Sequence, residues 1–209
     1  MARIRVKICG ITRPEDAAAA AAAGADAVGL VFYPSSPRAV DIGAARVLSR
    51  ALPPFVTRVG LFVDADPAEI EAVLNSHCLD MLQFHGSEAP ADCERYDMPY
   101  MKAIKVMEGV DLHAQARRYN SASALLLDTH VAGLAGGTGK TFPWERVPGD
   151  LSVPVVLAGG LNEENVIEAV SRVRPYAVDV SGGVESSPGI KDSARIRAFI
   201  HKVGSYSHE

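Results

Sequence analysis

Two residues in this sequence end apolar runs with groups able to move a proton. Cys9 closes Arg5-Val6-Lys7-Ile8-Cys9, and Asp128 closes Ala124-Leu125-Leu126-Leu127-Asp128. A carboxylate beside three leucines is costly unless it meets solvent or a partner, and with a raised pKa it could serve as a general acid. An Asp capping the following segment is the other reading. Cys9 taken alone reads as a small buried hydrophobe, because structural cysteines outnumber reactive ones. Arg38, held between Pro37 and the next helix, offers a two-pronged guanidinium that suits a carboxylate or a surface salt bridge. Gly159-Gly160 and Ser181-Gly182-Gly183 follow two further apolar runs. Glycine-exposed backbone N–H groups at such turns form a neutral cradle for phosphate. Gln83 and His85 share one strand face, where His85 suits packing or hydrogen bonding, and contact with a substrate, better than the role of base.

Gly136-Gly137-Thr138-Gly139-Lys140-Thr141 resembles a nucleotide-binding P-loop only superficially. The position five before Gly139 is Leu134, and Pro143 forbids a long helix directly after Lys140-Thr141. A mobile lid over a substrate, with Gly137 among its contacts, is the better reading. No His, Cys and Asp cluster has ligand spacing, so neither a metal nor a cofactor is expected.

These residues must be positioned by elements that alternate from end to end. Strand-like runs are Arg5–Cys9, Ala27–Phe32, Thr57–Val63, Met81–His85, Tyr100–Val106, Ala124–Asp128, Val153–Ala158 and Ala177–Ser181. Helices are expected from Pro14 to Gly24, Ile42 to Leu52, Asp66 to about Asn75, Pro90 to Tyr96, Val110 to Tyr119, Glu163 to Val173 and Ser193 to Val203. Only a short helix is expected near Trp144 to Val147. Short apolar strands joined through helices require a parallel sheet covered on both faces. No G-x-G-x-x-G follows the first strand, which counts against an open dinucleotide-binding sheet. Glycine pairs after strands seven and eight favour a single α/β domain over residues 1–209, a closed (β/α)8 TIM barrel whose site lies at the carboxyl ends of the strands. In the first strand, Val6 and Ile8 then face the helices, and Lys7 and Cys9 face inward.

The 209 residues carry a formal charge of −4, which gives no reason to expect nucleic acid or an anionic membrane as partner. Three cysteines form no disulfide or zinc pattern, and no secretory signal follows Met1. A cytoplasmic location is expected; monomer and homodimer both stay open.

As a set and in this order, the motifs resemble the phosphoribosylanthranilate isomerase family. They are Lys7-Ile8-Cys9-Gly10-Ile11-Thr12, Ser36-Pro37-Arg38, Gln83-Phe84-His85-Gly86, Leu126-Leu127-Asp128 and Gly136 to Phe142. Leu157-Ala158-Gly159-Gly160-Leu161, Asp179 to Glu185 and Pro188-Gly189-Ile190-Lys191-Asp192 complete them. The resemblance implies an Amadori rearrangement of N-(5-phosphoribosyl)anthranilate in tryptophan biosynthesis, with a small phosphorylated molecule as the partner. It implies Asp128 as general acid at the ribose ring oxygen and Cys9, as thiolate, as general base at C2′. Arg38 would hold the anthranilate carboxylate, and the glycine turns the phosphate.

A thiol of reference pKa ~8.5 is largely protonated at neutral pH, so such a site should lower it. Lys7 is one candidate for that; it could instead pair with Asp179 on the neighbouring strand. Another phosphosugar isomerase or lyase, or a non-catalytic sugar-phosphate sensor, would fit the same barrel. A related isomerase using two carboxylates would want an acid where Cys9 stands.

Overall fold

The computed structural model describes residues 3–128 and 144–206. Eight parallel strands close on themselves in sequence order: β1 (Arg5–Cys9), β2 (Ala27–Val31), β3 (Thr57–Phe62), β4 (Met81–Phe84), β5 (Tyr100–Lys105), β6 (Ala124–Asp128), β7 (Val155–Ala158) and β8 (Ala177–Val180). The register that closes the barrel sets Lys7 opposite Asp179 and Ile8 opposite Val180.

The helices are α1 (Pro14–Ala23), α2 (Ile42–Arg50), α3 (Pro67–Leu74), α4 (Pro90–Glu94), α5 (Leu112–Arg118), α6 (Val166–Val173) and α7 (Ser193–Ser205). Their starts are local chemistry. Asp41, Asp66, Asp111 and Asp192 each accept a hydrogen bond from a first-turn backbone N–H, and Pro14, Pro67 and Pro90 occupy first positions whose missing N–H costs nothing. Gly24 ends α1 at φ 96°, a left-handed conformation that a side chain would resist. A 3-10 turn at Trp144–Arg146 precedes β7.

Alternation along each strand separates two cores. Val6, Ile8, Val28, Leu30, Leu125 and Leu127 point out into the layer beneath the helices. Val59, Met101, Ala103, Ala124, Leu126, Val156, Ala158 and Ala177 fill the barrel's interior. Nearer the carboxyl ends, Cys9 packs with Val31 and Leu61. The alanine-rich α1 buries Ala17 and Ala20 and packs against α7, which buries Ile196, Phe199 and Val203.

Several strands are shorter than their apolar runs. His85 and Ser181 lie just past the ends of β4 and β8, already in the loops, where their side chains are less constrained by the ladder. The expected second turn of glycine-rich chain, Gly182-Gly183, is a 3-10 turn, Gly182–Val184. It leads into an unforeseen hairpin, β9 (Glu185–Ser187) and β10 (Ile190–Lys191), whose register shifts by a bulge. Among the described residues, no helix is long and apolar enough to cross a membrane.

Candidate functional site

Cys9 stands at the carboxyl end of β1 beside Gly29 of β2. A Cβ on Gly29 would lie 2.7 Å from Cys9 Sγ and 3.1 Å from Lys7 Nζ, so thiol and ammonium share the space that this glycine leaves empty. Lys7 Nζ donates to Asp179 Oδ1 at 2.9 Å while lying beside Cys9, so the two partners that sequence left open share one ammonium. Burial pushes the Lys7 ammonium down, but Asp179 and Cys9 more than restore it, and the net shift is upward.

The expected lowering of the Cys9 thiol is not what this geometry produces. Burial pushes the thiol above its ordinary range; Lys7 opposes that, Asp179 reinforces it, and the lowering contribution from Lys191 is smaller. Because Lys7 is shared with Asp179, it offsets burial only in part.

At the end of β6, three strands away around the barrel, the Asp128 carboxyl oxygen Oδ2 lies 3.0 Å from His85 Nε2. Gln83 is fully buried, and its amide nitrogen meets His85 Nδ1 at 2.9 Å. An amide NH2 can only donate, so Nδ1 accepts and the Nε2–H of His85 donates to Asp128. This chain of bonds fixes the rotation of the carboxyl group. Of the packed and hydrogen-bonding readings, His85 takes the second, with one bond on each ring nitrogen.

Below that histidine, a buried ion pair shapes the loop. Lys102 Nζ donates to Gly86 O at 2.7 Å and to Glu88 Oε2 at 2.9 Å. Glu88 Oε1 in turn accepts from the backbone N–H groups of Asp64 and Gly86. Gly86 has no room for a side chain, since a Cβ would sit 2.4 Å from Asp64 Oδ1.

Arg38 follows β2 in a turn secured by Arg38 N donating to Ser36 Oγ at 3.1 Å. Its stem crosses over Gly10, where a Cβ would come within 2.4 Å of Arg38 Cδ and φ is +75°. The guanidinium is bidentate to Glu185, Nε to Oε1 at 2.7 Å and Nη2 to Oε2 at 2.6 Å. Lys191 Nζ donates to the same Oε1 at 2.8 Å and to Ser181 O at 3.1 Å. Of the two readings of Arg38, the salt bridge is therefore present, but it lies at the barrel mouth with a buried partner.

The two glycine turns adjoin. Gly159 and Gly160 have φ of 83° and 66°, and a Cβ on Gly183 would lie 2.0 Å from Leu161 O. At Gly183 no side chain fits, whereas a Cβ on Gly160 would meet nothing within 4 Å. Gly182 lies beside the guanidinium, a Cβ there being 3.7 Å from Arg38 Nη2. Gly137 and the rest of its loop lie outside the described residues. Among the described residues, no group of His, Cys, Asp and Glu could hold a metal ion. Glu185 and Lys191 were missed as site residues. Both stood in quoted motifs, but their convergence depends on the hairpin.

Fold and site together define a (β/α)8 barrel with titratable groups at the carboxyl ends of β1 and β6, the face where such barrels carry their sites. Residues 6–202 match the family model for N-(5'-phosphoribosyl)anthranilate isomerase. The N-(5'-phosphoribosyl)anthranilate isomerase of Pseudomonas aeruginosa is 60% identical over 205 residues, covering 98% of this chain and 97% of that protein. The crystal structure of phosphoribosyl anthranilate isomerase from Thermotoga maritima superposes with a TM-score of 0.89 at 44% identity, covering 96% of this chain and 98% of the other. A further phosphoribosyl anthranilate isomerase, solved in complex with reduced 1-(o-carboxyphenylamino)-1-deoxyribulose 5-phosphate, superposes at 0.85 with 42% identity and covers 96% and 98%. This chain belongs to the N-(5'-phosphoribosyl)anthranilate isomerase family.

Proposed function

We propose that the chain converts N-(5'-phosphoribosyl)anthranilate to 1-(2-carboxyphenylamino)-1-deoxyribulose 5-phosphate, a step of tryptophan biosynthesis. Asp128 acts as general acid and Cys9 as general base. The observation that carries this reading is the carboxyl of Asp128, held by His85 at the carboxyl end of β6, at the same end of the barrel as Cys9 on β1.

Asp128 delivers its proton to the ribose ring oxygen. The C1′–O bond breaks, and the anthranilate nitrogen lone pair forms the C1′=N bond of a Schiff base. Cys9 thiolate then takes the C2′ proton, and those electrons form C1′=C2′ as the C1′=N π pair returns to nitrogen. The resulting enolamine tautomerises to the ketone. The His85 bond to Oδ2 orients the carboxyl so that Asp128 meets one side of the sugar. Arg38 holds the anthranilate carboxylate, and the adjoining turns at Gly159-Gly160 and Ser181-Gly182-Gly183 hold the phosphate. Three free, buried cysteines are compatible with a reducing compartment such as the cytoplasm.

Loss of anthranilate fluorescence on mixing with fresh substrate tests the assignment. Wild type turns over; Cys9→Ala and Asp128→Asn each lower kcat by about 10²–10⁴-fold, the usual worth of a positioned acid or base. An Asp128→Asn variant that keeps its activity would remove the acid role, and wild type without turnover would remove the reaction.

A further inference from the structure

We propose that Glu185 is a positioning residue that gives Arg38 its selectivity for a carboxylate, by occupying one edge of the guanidinium and aiming the other into the barrel mouth. The inference rests on the reading that Arg38 receives the substrate's aryl carboxylate.

A guanidinium carries five N–H bonds arranged as a rigid fork. Glu185 takes the side edge, Nε–H and one N–H of Nη2, through its two carboxylate oxygens. The end edge, the N–H groups of Nη1 with the second one of Nη2, has no partner among the described residues. That edge matches a second carboxylate in the same bidentate way. The Glu185 side chain is 5% exposed and that of Arg38 is 26% exposed, so the anion is the inner anchor and the cation the outer, solvent-facing group.

Charge keeps that edge attractive. An Arg–Glu pair alone would be neutral, and an entering carboxylate would meet no net charge. Lys191, whose side chain is fully buried, shares Glu185 Oε1, so two cations surround one anion. The cluster therefore carries one net positive charge, exposed only through Arg38. Gly189 N also donates to Glu185 Oε1 at 3.3 Å.

The anchor is rigid on every side. Lys191 N donates to Asp16 Oδ2 at 3.0 Å, and the Thr12 hydroxyl donates to Gly189 O, so the hairpin is tied to the segment after β1. Lys191 Nζ also reaches Ser181 O, which places the same ammonium under the glycine turn beyond β8. Gly10 confines the stem of Arg38 while Glu185 confines its head. A preorganised fork binds without first losing its rotamer freedom.

Two reduced ligands separate this role from folding: the amine made by reductive coupling of ribose 5-phosphate to anthranilate, and the one made from aniline, which lacks the carboxylate. Titrated into the full-length protein, wild type prefers the carboxylate-bearing ligand by about tenfold or more, the worth of a charge-assisted pair. Glu185→Gln adds to the cluster's positive charge but releases the fork, so the preference, which the aim of the fork sets, falls to within about threefold, while the aniline-derived ligand binds as before. Glu185→Asp keeps the charge beside Lys191 but is too short to span both nitrogens of Arg38, and it loses the preference too. It serves as the test if Glu185→Gln does not fold. A general loss of stability would weaken both ligands alike and leave their ratio unchanged. Retention of the wild-type preference in a folded Glu185 variant overturns the inference; a wild type that shows no preference overturns instead the carboxylate role of Arg38 on which it rests.

Discussion

Replacing Lys7 by Met isolates what the ammonium does for Cys9. Sγ and Nζ both lie within contact of the place a Gly29 Cβ would fill, which puts them less than about 6 Å apart. At an effective dielectric constant of ~20, two unit charges at about 6 Å interact by about 3 kcal/mol. Losing the ammonium therefore lowers the thiolate population at neutral pH by about two orders of magnitude. The same substitution leaves the buried Asp179 carboxylate without its cation, a loss of about 3–5 kcal/mol in stability. Lys7→Met with Asp179→Asn removes both charges, so the double variant recovers stability and part of the thiolate, since Asp179 itself disfavours the anion. Iodoacetamide alkylation rates from pH 6 to 10, with the adduct assigned by mass spectrometry, measure this. Cys93, pushed up to about 12 mainly by burial, stays silent in that window. The alkaline limb of kcat/KM should move with the alkylation profile, upward for the single variant. A Lys7→Met profile matching wild type, or a double variant less reactive than the single one, refutes the account.

Other perturbations report on neighbouring features. Gly10→Ala forces a side chain into a φ of +75° and against Arg38 Cδ, so activity falls at least about tenfold and stability by about 1–2 kcal/mol, read by kinetics and chemical denaturation. Gly183→Ala drives a methyl into Leu161 O, and raises KM for the phosphorylated substrate more than it lowers kcat. His85→Leu removes one hydrogen bond that orients the Asp128 carboxyl, so kcat falls while the affinity for the reduced product analogue holds. Although burial alone would raise the Glu185 carboxyl, Arg38 and Lys191 hold it below its ordinary value. Its stabilising contribution is present above the ordinary carboxylate pKa near 4.5 and is lost as pH falls through the lower folded value; acid unfolding of Glu185→Gln, followed by circular dichroism, lacks that portion.

What the sequence made legible was mostly what neighbours in sequence decide. Apolar runs located all eight strands, and alternation placed Lys7 and Cys9 inside while Val6 and Ile8 faced the helices. Asp and Pro marked helix starts because capping acts within one turn. Helix and strand ends were overextended, as at Leu52 and Val106, where the apolar pattern outruns the ladder or the helix. The hairpin from Glu185 to Lys191 escaped because its strands are three and two residues long and are secured by side chains distant in sequence, such as Asp16 and Arg38. The sign of the Cys9 shift escaped for a related reason: it depends on how completely the barrel buries the thiol and on the sharing of Lys7. His85 and Asp128 are 43 positions apart, and only barrel closure brings them together.

The contacts between β1 and β8 also bear on biosynthesis of the chain itself. Lys7 leaves the ribosome long before Asp179, 172 positions later, which is its only described carboxylate partner. Asp16 likewise waits for Lys191, and Thr12 for Gly189. Until the last strand and hairpin have been translated, an unmatched cation sits in the first strand and the fork of Arg38 has nothing to hold it. A nascent chain stalled before Ala177 would have seven strands but no seam, an open edge and no seat for its thiol. The site around Cys9 and Arg38 is therefore assembled only with the closing of the ring.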